Sequence, residues 1–130
     1  MHNITFLDLF AGCGGLSEGF IRQGFEVAAH VEMDKAACHT IKTRQAYHWL
    51  VTHSLESCYK KYQAGIMTRR ELYRAVPSNL IESVINAEIS GSSISRIFGK
   101  ISKILGNNKL NVIVGGPPCQ AYSLAGRSRD

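Results

Sequence analysis

Residues 3–20, NITFLDLFAGCGGLSEGF, run from an apolar stretch through a turn with three glycines into the start of a helix. Residues 3–10 read as a short buried strand, because an apolar run of this length bounded by glycines suits a sheet interior. Leu16, Phe20 and Ile21 then recur at helical spacing, and Gly24 closes that helix. EVAAHVEMD (residues 26–34) supplies a second strand over 27–31 with acids at its carboxyl end, and KAACHTIKTRQAYHWL (35–50) is helical. Strand, helix, strand, helix is the pattern of an α/β protein with a parallel sheet and covering helices.

Beyond this unit, residues 51–83 turn helical and basic. Thr68 with Glu71 three residues later forms a capping box, which predicts a helix starting at Thr68. A third strand is expected over 84–89. Residues 92–106, SSISRIFGKISKILG, give the clearest helix: Ile94, Ile97, Phe98, Ile101, Ile104 and Leu105 share one face. Ser92 or Ser93 caps its start and Gly106 ends it. LNVIVGG (110–116) is the fourth strand.

The totals bound the reading. A chain of 130 residues is one domain's worth and buries a real core. No apolar run is long enough to span a membrane. The start, MHNITFLDLF, lacks a basic region followed by a cleavage site, so a cytoplasmic protein is expected. Cys13, Cys38, Cys58 and Cys119 form no C-x-x-C pair and no zinc-type spacing with histidine, so free thiols and no metal are expected. A net charge of +5 and a pI near 9.2 are compatible with a nucleic-acid partner, though many ordinary domains are as basic.

Two stretches carry the chemistry. Gly12, Gly14 and Gly15 follow the first strand and precede a helix, where glycine admits positive φ and bare N–H groups can meet a ligand. The pattern is not G-x-G-x-x-G, since Ser17 stands at the third glycine's position. Glu32 ends the second strand, where nucleotide-binding α/β folds place a carboxylate for ribose hydroxyls. Together they favour an adenosine-containing ligand. The second stretch is GGPPCQAYSLAGRSRD (115–130), where two prolines hold Cys119 on stiff backbone after the fourth strand. Polar residues follow this cysteine, which favours a nucleophile over an apolar filler.

DLFAGCGGLSEGF and GGPPCQAYSLAGRSRD, in this order with VEMD between them, resemble the DNA (cytosine-5-)-methyltransferases, amino-terminal part only. The resemblance implies a partial doubly wound sheet of the class I S-adenosylmethionine-dependent type, of about four strands with a helical insertion at about 51–83. Residues 1–130 would then be the cofactor-binding and catalytic part of one domain, without a target-recognition region. Phe10 matches the residue lying against adenosine, and Gly12, Cys13 and Gly14 the loop around the methionine moiety. Glu32 matches the ribose carboxylate. Met33 stands where many members carry an aromatic residue, and a thioether also packs on a ring. NAEIS (86–90) stands where many members read Gly-Asp-Ile, which assigns Glu88 to the adenine amino group and Ile89 to the ring's flank. Pro118 lines the methyl end, Cys119 is the nucleophile, and Gln120 and Ser123 match positions approaching DNA.

The implied reaction is methyl transfer to cytosine C5 through a covalent adduct of Cys119 at C6, on a base flipped out of double-stranded DNA. The implied setting is a restriction-modification system. The family's later Glu-Asn-Val and Gln-x-Arg motifs are not among these residues, so the chain alone is expected to be inactive without a carboxyl-terminal part. RNA cytosine-5 methyltransferases of the transfer-RNA type share both motifs. A nicotinamide-dependent oxidoreductase would explain the glycine turn and Glu32, but not Pro-Pro-Cys-Gln.

Overall fold

The computed structural model describes residues 3–119 and shows an α/β fold with a four-stranded, all-parallel sheet. The strands are β1 (Thr5–Leu9), β2 (Glu26–Glu32), β3 (Val84–Asn86) and β4 (Val112–Gly115). They lie side by side in the order β3-β2-β1-β4. The helices are α1 (Gly15–Arg22), α2 (Lys35–Thr52), α3 (Glu56–Gln63), α4 (Arg69–Arg74), α5 (Ser78–Glu82) and α6 (Ile94–Leu105). Among the described residues, no helix is long and apolar enough to cross a membrane.

Alternation along the strands divides the core between two faces, as a parallel sheet covered on both sides requires. Leu7, Ala29, Val31 and Ile85 point to one face and pack on Ile97 and Ile101 of α6. Phe6 points to the other, where its ring stacks on Phe20 of α1 at 5.1 Å. Val84 joins Cys38 and Ile41 of α2 on that same side. A third cluster packs α2 against α4 through Ala46, Leu50, Leu72 and Val76, with Trp49, Tyr59, Tyr62 and Tyr73 around it. The tyrosines and tryptophan between 47 and 73 are thus largely packing residues.

Some element ends differ from the sequence reading, and one cap works in another way. The first strand ends at Leu9, because Phe10 takes a left-handed backbone conformation at φ 57° and turns the chain out of the sheet. The third strand stops at Asn86 rather than 89: β2 ends at Glu32, opposite Asn86, so the sheet offers no further partner. Ser93 does occupy the N-cap of α6, but its hydroxyl makes no cap bond to that helix. It donates instead to the Glu88 carbonyl at 2.5 Å and accepts from the Ser90 N–H at 2.9 Å.

The strand order fixes where a ligand can enter. The chain moves outward from β1 through β2 to β3, then returns past β1 to place β4 on its other side. Such a reversal opens a crevice at the strands' carboxyl ends. Gly115, at the end of β4, has no room for a side chain, because an added Cβ would collide with the Leu9 carbonyl oxygen of β1. Close approach of the two backbones therefore requires the first glycine of the Gly-Gly-Pro-Pro-Cys turn.

Candidate active site

At the carboxyl end of β1, the glycine turn is closed by its own backbone. Ala11 N–H donates to the Val31 carbonyl at 3.0 Å and Gly14 N–H to the Ala11 carbonyl at 2.9 Å. Gly12 (φ 57°) and Gly14 (φ 85°) sit in the left-handed region that glycine enters without strain. Phe10 adopts it without that freedom, and such strain gathers at ligand sites.

Glu32 ties this turn to β2. Its carboxylate accepts from Gly12 N–H at 2.7 Å and, through the other oxygen, from Asp34 N–H at 3.0 Å. A carboxylate accepts about four hydrogen bonds, so roughly two acceptor positions remain for a ligand. The N–H groups of Gly12 and Gly14 are spent inside the turn. Those of Cys13 and Gly15 have no partner among the described residues. The glycines thus serve mainly to shape the loop, and neighbouring positions hold the available donors.

Asp8, readable from the sequence as a brace for the glycine turn, is joined by side chains that the sequence did not single out as braces. Ser17 fills the third glycine's position, is buried, and donates to Asp8 at 2.5 Å. Burial pushes the Asp8 carboxyl above its usual range; the Ser17 bond pulls it back and the Glu32 charge adds to the rise. Asp8 is therefore a strut between β1 and α1. Asn86 donates to the carbonyls of Glu32 at 3.1 Å and Met33 at 2.8 Å, holding the acidic turn from β3. Glu18 of α1 accepts from Arg44 at 2.5 Å and meets His48 at 2.9 Å, clamping α1 to α2. Burial works against ionisation of Glu18, but hydrogen bonding and charge from His48 and Arg44 outweigh it and lower its pKa.

The remaining sequence-derived residues fall at the same edge of the sheet or next to it. Met33 follows Glu32 and is 67% exposed. Glu88 is exposed, whereas Ile89 is half-buried against the core cluster under α6. Pro118 and Cys119 are exposed and follow β4, the neighbour of β1, so the cysteine and the glycine turn share one crevice edge. Gln120 and Ser123 lie outside the described residues. A groove of about 1060 Å³ lies at the opposite edge of the sheet, lined by Asn3, Thr5, Glu82 and Asn111 among others. It contains none of these side chains.

Fold and polar frame together define a parallel α/β protein of the kind that binds ligands where its strand order reverses. The model of the C-5 cytosine-specific DNA methylase family matches residues 4–63. The chain is 36% identical to the type II methyltransferase M.Bpa9945I of Bacillus paralicheniformis, over 95% of this chain and 32% of that protein. It is 27% identical to the putative type II methyltransferase M.MjaORF1200P of Methanocaldococcus jannaschii, over 98% of this chain and 38% of the other. Against the type II methyltransferase M.HgiGI of Herpetosiphon aurantiacus the identity is 29%, over 93% of this chain and 64% of the relative. The chain spans about a third of the length of the first two. No solved structure matches it significantly.

Proposed function

We propose that this chain is the cofactor-binding and nucleophile-bearing part of a DNA cytosine-5 methyltransferase in a restriction-modification system, acting in the cytoplasm. The observation that carries the reading is the Glu32 carboxylate. It is fixed by Gly12 and Asp34, with acceptor capacity left over, at the edge of the sheet that also bears Cys119. The residues present fit S-adenosylmethionine. Glu32 would take the ribose hydroxyls, Cys13 and Gly15 N–H the polar methionine end, and Phe10, Met33 and Ile89 the adenine, with Glu88 at its amino group. Pro118 would face the methyl end.

Bound cofactor would supply an activated methyl group. The chain's own part is to make cytosine C5 a nucleophile. The Cys119 thiolate adds to C6 of a flipped cytosine, the C5–C6 double bond is lost, and electron density rises at C5. When C5 later gives up its proton, the C6–S bond breaks and the thiolate leaves. Two prolines before Cys119 limit how far the sulfur can wander during these steps. Gln120 and Ser123 would approach the DNA. Protonation at cytosine N3 has no donor assigned among these residues, and on this reading the chain alone does not turn over.

A transfer-RNA-type substrate shares both motifs, but the relatives' names describe type II methyltransferases, which favours DNA. They equally disfavour a nicotinamide oxidoreductase. Where this chain works within an active methyltransferase, Cys119→Ser abolishes transfer of a labelled methyl group to duplex DNA. A hydroxyl is a far weaker nucleophile at neutral pH. Near-normal turnover by the serine variant would contradict the mechanism.

A further inference from the structure

Segment 35–76 carries eight Lys and Arg against two Glu, so the whole positive excess of the chain resides there. Among the described residues every salt bridge converges on Glu18, which engages Arg22, Arg44 and His48. Lys35, Lys42, Arg69 and Arg70 have no carboxylate partner in that set. Acids close to them in sequence are committed elsewhere: Asp34 caps α2 through Ala37 N–H at 2.7 Å, and Glu71 completes the cap of α4. The cap bonds with Thr68 and, to a lesser extent, the nearby Arg74 charge lower the Glu71 pKa, so Arg74 has an acid beside it.

These cations come from two elements that the fold brings together. Tyr73 of α4 donates to the His39 carbonyl of α2 at 2.8 Å, and its hydroxyl also meets Thr43 at 3.1 Å. That crossing sets Arg69 beside α2, and the His39 pKa is lowered by burial and then by the nearby charges of Arg69, Lys42 and Lys35. Gathering like charges without acids costs free energy, which an anionic polymer would return on binding. Lys35 opens α2 only three residues after Glu32, so the face starts at the ligand edge of the sheet. The strand that precedes Cys119, β4, is two places from β2, about 10 Å away.

We infer that the α2–α4 face, through Lys35, Lys42 and Arg69, grips the phosphate backbone of duplex DNA outside the base pocket. The choice of duplex DNA rests on the proposed function. The gathering of charge does not.

The test is binding of a short fluorescent duplex to the full chain across a salt series, followed by anisotropy. Each phosphate contact contributes about 0.9 to the slope of log affinity against log salt. Lys42→Gln with Arg69→Gln is expected to lower the slope by about 2 and to leave S-adenosylhomocysteine affinity unchanged. Lys100→Gln with Lys103→Gln, on α6, is expected to leave the slope alone. An equal loss in both pairs, or none in the first, overturns the assignment. So does the absence of salt-sensitive binding by the parent chain, or tighter binding to an RNA hairpin or to anionic vesicles than to the duplex. Circular dichroism of each variant verifies folding. Because cofactor affinity is read separately, failure here is distinct from failure of the proposed function.

Discussion

His30 shows how far one side chain can govern the response to acid. It lies in β2, is 1% exposed, and has no partner for Nδ1 among the described residues. Burial pushes its pKa down to about 4, whereas an unfolded histidine titrates near 6.5. The unfolded chain therefore binds the extra proton first, and stability falls as pH drops from about 6.5 towards 4. At pH 5 the deficit is about 2 kcal/mol, taking 1.36 kcal/mol per unit. Asp8, whose pKa is raised, works in the opposite sense at the acid end, so a difference measurement is needed. Urea unfolding at pH 7.5 and 5 should show a loss about 2 kcal/mol larger in the parent than in His30→Gln. An equal loss in both would show that His30 is not responsible. Nothing in the sequence marks His30 as buried, because its burial depends on helices that follow it. Glu32 was legible from its place at a strand end. Its bond to Gly12 was not, since that depends on two strands being neighbours.

At the scale of elements, local chemistry was the most legible. Thr68 and Glu71 form the capping box their spacing predicts: Thr68 accepts from Glu71 N–H at 3.2 Å and Glu71 accepts from Thr68 N–H at 2.7 Å. Since α4 has only six residues, the cap satisfies much of its exposed backbone. Thr68→Ala is expected to cost about 1 kcal/mol in the urea midpoint analysis, and no measurable loss would mean that packing of Leu72 alone holds α4. Long-range pairing was less legible, as the early end of β3 shows. The apolar stripe of α6 was read correctly as a pattern, yet only Ile97 and Ile101 are buried, while Phe98 and Ile104 are 42% and 38% exposed. Periodicity reports which residues share a face, not whether a partner reaches all of it.

For the molecule as a whole, the alternation of strands and helices disclosed the parallel sheet, and the reversal of strand order brings two distant motifs to one edge. Residues 10–15 and 115–119 are separated by four-fifths of the chain and meet because β1 and β4 are adjacent. A cofactor bound there would touch the first, second and fourth strands' ends at once, so it should also stabilise the fold by mass action. The most direct measurement is a calorimetric titration of the full chain with S-adenosylhomocysteine, with NAD as the comparison and Glu32→Ala as the control. Binding of S-adenosylhomocysteine, absence of NAD binding and a marked loss in the Glu32 variant are the expected results. Binding of NAD alone, or a chain folded by circular dichroism that binds neither, would contradict the assignment of this site to S-adenosylmethionine.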